Sequence, residues 1–247
     1  QMAYGSPAVF RSARFLRIAD HADELRDNRR GEVELLADAG LALAALADAL
    51  GSPSPNLDCE WTGGLRAEHE RRAARHLEAM ASAEAGKDGH MHPNRIFAAL
   101  REVLAHDAIT IADGGDILSF ARLGLEAPAT YFDAGAFGCL GVGVPFAVAA
   151  ALAFPDRQVI SVNGDGAFGI NAMEIDTAVR HQAPLLIMVA NNGSWAIEVR
   201  DQQENHGKVV GTRLQFADHA AMARAFGMHA ERVETVEQLP GAIARAM

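Results

Sequence analysis

The sequence predicts an α/β chain with a doubly wound, mainly parallel β-sheet from about Pro93 onward, preceded by part of a second α/β domain. Two apolar, β-branched runs, at residues 159–162 and 185–190, flank a stretch whose apolar residues have helical spacing. Both runs are apolar throughout, which is typical of parallel strands covered by helices on both faces. Short apolar runs and helical patterns alternate along the rest of this part, and this alternation favours strand–helix–strand units.

Composition divides the chain into three predicted parts. Residues 1–52 form the domain remnant, residues 53–92 a linker that contains a charged helix, and residues 93–247 the large C-terminal domain. Prolines and small polar residues indicate the linker at residues 51–64. Charges that alternate in sign over residues 65–85 are typical of a solvent-facing helix.

The N-terminal part is predicted to contain a strand and a helix. The apolar residues at 13–19 predict a strand that ends at Asp20, and the leucine spacing over residues 33–50 predicts an amphipathic helix. An aspartate at a strand end can bind a ribose hydroxyl. Because no glycine-rich turn precedes Asp20, the sequence favours a solvated loop acid instead.

The C-terminal part opens with a predicted helix at residues 93–104, which has a proline in its first turn, and a strand at residues 108–112. The turn Asp113-Gly114-Gly115-Asp116 and a helix from Ile117 follow. Backbone amides in such a turn can bind phosphate. A plain turn with a left-handed glycine is equally compatible with these residues.

A glycine-rich segment, Phe137-Gly138-Cys139-Leu140-Gly141-Val142-Gly143, precedes an alanine-rich helix predicted at residues 145–154. The order of its glycines differs from that of the dinucleotide-binding fingerprint, so the segment does not indicate NAD. Glycines here permit a ring system to pack closely against the backbone. The helix that follows can equally be part of the core.

Two polar turns follow the two apolar strands and are expected at one edge of the sheet, where ligands bind in such folds. Mg²⁺ takes oxygen ligands, usually from a few protein groups, phosphates and water. The Asp165 carboxylate, the Asn192 amide and the Ser194 carbonyl can supply such oxygens. Gly164 and Gly166 let the backbone approach a diphosphate, whose charge the following amides would meet. Each turn alone is an ordinary turn sequence, so the prediction depends on their pairing.

The last part of the chain carries fewer signals. A polar, mobile stretch is expected at residues 200–208, followed by a helix at 217–226, a strand at 229–233 and a helix at 236–247.

Composition excludes several classes of protein. A formal net charge of -10 argues against a nucleic-acid-binding surface, which would need an excess of lysine and arginine. No apolar run reaches membrane-spanning length. The two cysteines, Cys59 and Cys139, provide no disulfide framework, and a reducing cytoplasm fits them best. The chain begins with Gln1 in mid-pattern, which suggests a fragment of a longer protein.

The two turns, Gly164-Asp165-Gly166 and, after a helix and a strand, Asn191-Asn192, together resemble the fingerprint of thiamine diphosphate-dependent enzymes. The resemblance covers nearly all of the chain and is most specific over residues 137–198. It implies a thiamine diphosphate-binding fold with thiamine diphosphate and Mg²⁺ as cofactors. Residues 1–52 would then be the tail of a central Rossmann-like domain, which in some members binds FAD or ADP.

The resemblance also implies roles for single residues. Leu140 would hold the cofactor bent by wedging between its rings, while the Gly138 carbonyl accepts a hydrogen bond from the pyrimidine amino group. Glu198 matches a glutamate that transfers protons in some members, a role that would require a pKa raised by an apolar pocket; an exposed helical glutamate is usually just solvated. Trp195 and Ile197 would line the substrate pocket or serve as core contacts. The expected metal ligands are Asp165, Asn192 and Ser194, and the expected cofactor-binding residues are Gly114, Gly115, Asp116, Gly138, Cys139, Leu140, Gly164, Asp165, Gly166, Ala167, Asn192, Ser194 and Trp195.

The activity implied by the resemblance is the cleavage or formation of carbon–carbon bonds. We expect first a 2-hydroxyacyl-CoA lyase, which yields formyl-CoA and a carbonyl compound, or a related oxalyl-CoA decarboxylase. The alternatives are a carboligase similar to acetolactate synthase or benzaldehyde lyase and, in another class, a non-catalytic nucleotide-binding or assembly subunit. Family members normally receive an activating glutamate from a pyrimidine-binding domain of the partner subunit in a homodimer or homotetramer. We therefore expect this piece alone to be inactive.

Overall fold

The computed structural model contains two compact units, Gln1–Ala67 and Glu68–Met247. The parts of the chain that it describes are residues 10–26, 29–51, 59–86, 89–125 and 130–247.

The N-terminal unit contains two short parallel strands, β1 (Leu16–Ala19) and β2 (Val33–Leu36), and the helix α1 (Ala39–Leu50). The prediction of one helix across residues 33–50 is wrong for its first residues. They form β2 because β1 offers them a complete parallel ladder. Asp38 caps α1 by accepting a hydrogen bond from the backbone N–H of Leu41 in the first helical turn. The strand predicted at the start of the chain is present but shorter.

Helix α2 (Cys59–Ser82) begins within the stretch predicted to be a linker. Residues 59–64, predicted to precede the charged helix, are therefore part of it, and the helix lies within the predicted segment 53–92. A mixed-charge surface stabilises this helix, because Glu68 lies one turn from Arg72 and accepts a hydrogen bond of 2.5 Å from its guanidinium.

The C-terminal unit is built on a four-stranded, all-parallel sheet in the order β4-β3-β5-β6. Its elements are α3 (Pro93–Arg101), β3 (Ile109–Asp113), α4 (Asp116–Gly124), β4 (Thr130–Phe132), a 3-10 turn (Gly135–Phe137), α5 (Gly143–Ala153), β5 (Val159–Gly164), α6 (Asp165–Asn171), α7 (Glu174–Arg180), β6 (Leu186–Ala190), α8 (Ala196–His206), α9 (His219–Ala225), a second 3-10 turn (Val236–Gln238) and α10 (Leu239–Ala246).

Helices cover both faces of this sheet, so the predicted doubly wound α/β class is confirmed. One face packs on α3, α4 and α10 through side chains that include Phe97, Leu100 and Ile243. The other face packs on α5, α7 and α9, with Val144 and Ile175 among the buried residues. β3 is buried along its whole length, including its polar residues Thr110 and Asp113, as expected for a strand covered on both faces.

Three local predictions for this unit are wrong. The helix after β5 is two helices, α6 and α7, and the stretch predicted to be mobile is helical as far as His206. Residues 229–233 form no strand, because hydrogen bonds tie them to neighbouring helices instead of β6. The Arg245 side chain of α10 donates to Glu231, and Arg224 of α9 donates to the Ala230 carbonyl.

A search of the helices in the described parts of the chain finds none that combines the length and the apolar character needed to span a membrane.

Candidate functional site

The candidate site lies at the edge of the sheet where β3, β5 and β6 end. The strand register places Asp113 opposite Asn163 and Gly164 opposite Ala190, so the turns after these strands lie side by side. A cleft of about 1190 Å³ opens at this edge and continues along β6. Its lining includes predicted cofactor-binding residues from four segments: Gly114, Gly115, Asp116, Leu140, Gly164, Asp165, Gly166, Ala167, Asn192, Ser194 and Trp195.

Asp165 is the first residue of α6, and only 5% of its surface is exposed. Burial raises the pKa of its carboxyl, and hydrogen bonds from the backbone N–H groups of Gly166 and Gly193 offset part of that effect. Its Oδ2 atom is buried and has no hydrogen-bond partner. The structure therefore brings the Asp165 carboxylate into contact with the turn after β6 and leaves one of its oxygens available to a ligand.

The turn after β6 is held in shape by its own side chains. The Asn192 Oδ1 atom accepts hydrogen bonds from the backbone N–H of Ser194, at 3.0 Å, and from its hydroxyl, at 3.3 Å. Gly193 is buried with a φ of +63°, a conformation that favours glycine, and the ring of Phe216 packs against it. Asn192 itself is exposed, so its amide faces outward at the rim of the cleft.

The residues after this turn pack onto the glycines of the neighbouring turns. The indole of Trp195 lies 2.8 Å from the position that a Cβ atom on Gly166 would occupy, and the Ile197 Cδ1 atom lies 2.7 Å from the equivalent position on Gly115. Both side chains line the cleft. Glu198 is exposed in the first turn of α8. The described residues do not give it the apolar surroundings that its predicted proton-transfer role requires.

The turn after β3 approaches the turn after β5 closely. A Cβ atom on Gly114, which has a φ of +133°, would lie 3.2 Å from the backbone nitrogen of Gly164. Asp116 begins α4 and forms a bidentate ion pair with Arg200 of α8, at 2.5 and 2.6 Å. This pair joins the first turn to the helix that borders the cleft, so the Asp116 carboxylate is engaged with an arginine.

The glycine-rich segment is exposed over its first half. Gly138 has a φ of +62°, and both Gly138 and Cys139 are exposed and do not line the cleft. Leu140 does line it. Phe137 is 94% exposed. Of the three residues predicted to contact the cofactor here, the described chain directs only Leu140 toward the cleft.

The structure reveals buried polar residues that sequence reasoning missed. The Asp113 Oδ2 atom accepts hydrogen bonds of 2.8 Å from the backbone N–H groups of both Gly141 and Gly143. Beside it, the Asn163 amide donates to Ser161, whose hydroxyl donates to the Gly143 carbonyl at 3.2 Å. Asp113 is fully buried, and this burial raises the pKa of its carboxyl. These residues support the glycine-rich segment from within the sheet.

Two further residues near the site were also missed. The Asn171 amide at the end of α6 donates to the Gly141 carbonyl at 2.8 Å. His219 packs its ring edge-on against Phe168 at 5.1 Å, and its Nε2 atom is buried without a partner. Neither residue belongs to a turn motif, so no sequence signal indicated it.

The residues at this edge fit a divalent cation and a diphosphate. The unpartnered Asp165 Oδ2 is the type of hard oxygen ligand that Mg²⁺ prefers. The Asn192 Oδ1 atom is a ligand of the same type, and it would exchange a hydrogen bond from Ser194 for the metal. No group of three histidine, cysteine or acidic side chains that could hold a metal ion occurs among the described residues. The expected ligand set is of another type, because it combines one acid with amide and carbonyl oxygens.

A doubly wound parallel sheet with a cleft at the carboxyl ends of its strands defines a cofactor-binding α/β domain. Residues 113–247 match the family described as thiamine pyrophosphate enzyme, C-terminal TPP binding domain. This match covers more than half of the chain, and the chain belongs to the thiamine pyrophosphate enzyme family. The resemblance found in the sequence and its cofactor, thiamine diphosphate, are confirmed.

Relatives in this family carry several activities. The chain is 35% identical over 247 residues to the acetolactate synthase large subunit IlvG of Mycobacterium tuberculosis, covering 98% of this chain and 44% of the relative. It is 34% identical over 198 residues to 2-hydroxyacyl-CoA lyase 2 of Danio rerio, covering 79% of this chain and 31% of the relative. The chain thus spans less than half the length of these relatives.

A solved structure shows the same fold. The thiamine diphosphate-dependent 4-hydroxybenzoylformate decarboxylase of Rhodococcus jostii RHA1 aligns with a TM-score of 0.70 at 27% identity. The alignment covers 95% of this chain and 41% of the decarboxylase.

Proposed function

We propose that the chain is the cofactor-binding part of a Mg²⁺-dependent carbon–carbon lyase or carboligase, and that its activity is that of a 2-hydroxyacyl-CoA lyase. Such an enzyme cleaves a 2-hydroxyacyl-CoA to formyl-CoA and a carbonyl compound. The observation that carries the proposal is the buried Asp165 carboxylate, whose free oxygen lies beside the Asn192–Ser194 turn in a chain of this family.

The residues at the sheet edge have distinct proposed tasks. Asp165, Asn192 and the Ser194 carbonyl hold Mg²⁺, and the closely packed Gly114 and Gly164 let the diphosphate approach the backbone. When bound, thiamine diphosphate supplies the electron sink for breaking or forming a bond next to a carbonyl. The protein supplies position and a site from which water is excluded.

Three residues are proposed to act at the reactive end of the cofactor. Leu140 lines the cleft, where it would contact the rings of a bound cofactor and restrict their arrangement. The turn Gly164-Asp165-Gly166, which carries the proposed metal ligand Asp165, is called the metal turn below. Trp195 covers this turn through its contact with Gly166, and it would border the substrate. Glu198 transfers a proton to or from the substrate once further protein surface reduces its exposure.

That further surface is proposed to come from a partner subunit. The share of its relatives' length that the chain spans supports a longer protein, with a pyrimidine-binding domain that carries the activating glutamate. Phe137, the exposed first residue of the glycine-rich segment, is a suitable contact for that partner in a homodimer or homotetramer.

Carboligation is the second candidate function, because the acetolactate synthase relative aligns over nearly the whole chain. The complete enzyme assayed with a 2-hydroxyacyl-CoA should release formyl-CoA, whereas pyruvate should give no acetolactate. Acetolactate as the product with pyruvate would replace the lyase proposal by the carboligase.

Calorimetry on the 247-residue chain separates both enzymes from a non-catalytic subunit. Thiamine diphosphate should bind in the presence of Mg²⁺ and lose most of its affinity when EDTA removes the metal. Binding of ADP alone, indifferent to Mg²⁺, would support a nucleotide-binding or assembly subunit and overturn the enzyme proposal.

A further inference from the structure

The backbone of Gly141 is hydrogen-bonded on both sides, by one side chain of β3 and one of α6. Its N–H donates to the Asp113 Oδ2 atom, and its carbonyl accepts from the Asn171 amide, both at 2.8 Å. Gly141 has a φ of +93°, and the Ile170 Cγ2 atom lies 2.6 Å from the position that a Cβ atom would occupy. The backbone here is therefore confined in both its hydrogen bonds and its space.

Burial of the Asp113 carboxylate, which holds the glycine-rich segment, is unfavourable in free energy. The residue is fully buried, and its hydrogen-bond donors are backbone N–H groups, including those of Gly141 and Gly143. Within the described residues its carboxylate has no ion pair. Burying a carboxylate without a cation is unfavourable. What the fold gains from burying Asp113 is a glycine-rich segment with a defined geometry.

Asn171 connects the same peptide to the metal turn. Asp165 and Asn171 are the first and last residues of α6, a helix of seven residues. At a rise of about 1.5 Å per residue their Cα atoms lie roughly 9 Å apart. One rigid element thus sets the distance between the Asp165 carboxylate and the Gly141 peptide, which directly follows Leu140.

We propose that Asp113 and Asn171 are positioning residues that hold the Gly138–Leu140 backbone at a set distance from Asp165. The inference rests on the proposed function, in which Asp165 binds the metal–diphosphate end of the cofactor and Leu140 contacts its rings. Asp113 and Asn171 contact neither the diphosphate end nor the rings of the cofactor. They determine whether the protein can bind the diphosphate end and the rings at the same time.

This division predicts a selective effect on ligand binding. Thiamine diphosphate needs both the metal turn and the glycine-rich segment, whereas inorganic diphosphate with Mg²⁺ needs only the metal turn. In Asp113→Leu and Asn171→Ala, thiamine diphosphate should bind about tenfold more weakly by calorimetry with Mg²⁺, while inorganic diphosphate binds within about twofold of the unaltered chain. Asp113→Asn keeps an oxygen that can accept from both N–H groups, and it should restore near-normal affinity.

Two control variants exclude a general effect on folding. Leu100→Ala removes a fully buried core side chain, and Asn205→Ala removes an exposed amide bonded to Asp201 in α8. Both should leave the ratio of the two affinities unchanged. Asn171 is exposed, so its alanine variant should fold even where Asp113→Leu does not.

Each outcome is decisive. An equal loss of both affinities, or no loss, in the Asn171 and Asp113 variants would overturn the positioning role. If the unaltered chain binds inorganic diphosphate but shows no Mg²⁺-dependent binding of thiamine diphosphate, the proposed function itself fails and takes this inference with it. A selective loss of thiamine diphosphate that Asp113→Asn reverses supports both.

Discussion

Two aspartate–glycine turns follow neighbouring strands of the same sheet, and their carboxylates have different surroundings. Asp113 ends β3, and its Oδ2 atom accepts hydrogen bonds from Gly141 and Gly143. Asp165 begins α6 after β5 and borders the cleft. Each carboxylate keeps one buried oxygen without a hydrogen-bond partner among the described residues, Asp113 Oδ1 and Asp165 Oδ2. Because the register sets Asp113 opposite Asn163, Asp113 lies two residues deeper in the sheet than Asp165.

The comparison shows that depth in the sheet separates a supporting carboxylate from one that can bind a ligand. Both groups are buried, and burial raises the pKa of both carboxyls. Asp113 does not line the cleft and meets only backbone from a returning segment. Asp165 reaches the cleft itself. The same dipeptide therefore provides structure in one turn and, by our proposal, a metal ligand in the other.

The largest expected effect is the loss of metal binding when Asp165 is replaced. In Asp165→Ala, the Mg²⁺-dependent affinity for thiamine diphosphate should fall at least about 100-fold, because the charged ligand is gone. Calorimetry with and without Mg²⁺ measures this. Asp176→Ala, which removes an exposed carboxylate paired with Arg180, is the matched control and should bind normally. Normal binding by the Asp165 variant would contradict its assignment as a ligand.

The next largest expected effect is a loss of stability, and it should arise when Asp113 in the turn after β3 is replaced. Asp113→Leu leaves the N–H groups of Gly141 and Gly143 without their acceptor, which should lower the free energy of unfolding by about 2–4 kcal/mol. Asp165→Leu should cost less, because Asp165 lines the cleft, where water can hydrogen-bond to the Gly166 and Gly193 N–H groups that lose their acceptor. Urea unfolding of both variants tests the contrast. A larger loss for the Asp165 variant would reverse the comparison.

A smaller effect should distinguish the glycines of the two turns. A methyl group on Gly166 meets the rigid indole of Trp195, so Gly166→Ala should cost about 1–3 kcal/mol despite the helical preference of alanine. Gly115→Ala meets only the flexible end of Ile197 and should cost less than about 1 kcal/mol. Thermal unfolding of the two variants checks the order, and equal costs would show that the indole moves freely.

The smallest effect is a pH dependence that originates at Asp113. Because burial raises the pKa of its carboxyl, the native state holds that proton more tightly than the unfolded state does. As the pH rises above about 4, the unaltered chain should lose stability relative to Asp113→Asn, by at most about 1.4 kcal/mol per pH unit. Urea unfolding between pH 4 and pH 8 measures the difference. A difference that grows in favour of the unaltered chain would contradict the raised pKa.

The sequence predicted those elements whose local pattern has a single interpretation. β3, β5 and β6 were found because short, mainly apolar runs there end in polar turns. Residues 33–36 were assigned to a helix because four residues fit either period, and only the ladder with β1 makes them a strand. Residues 229–233 have strand-like residues, yet side-chain hydrogen bonds to α9 and α10 hold them away from β6.

The residues of the site likewise fall into those that a local pattern predicted and those that it did not. Asp165 and Asn192 were predicted because each lies in the turn after a strand, and parallel strands end at one edge. Asp113 was named only as part of a turn, since its hydrogen-bond partner Gly141 lies 28 residues later in the chain. Asn171 was missed for the same reason, because its partner lies 30 residues earlier.

By itself the sequence determined the fold class and the polar turns at the sheet edge, because these follow from local composition and spacing. The family and the cofactor came from the resemblance of those turns to the fingerprint of thiamine diphosphate-dependent enzymes. Only the tertiary structure decided which carboxylate reaches the cleft, which one supports the glycine-rich segment and how exposed Glu198 is. The physical reason is that burial and hydrogen-bond satisfaction depend on groups that are remote in the chain. The folded backbone alone brings those groups together.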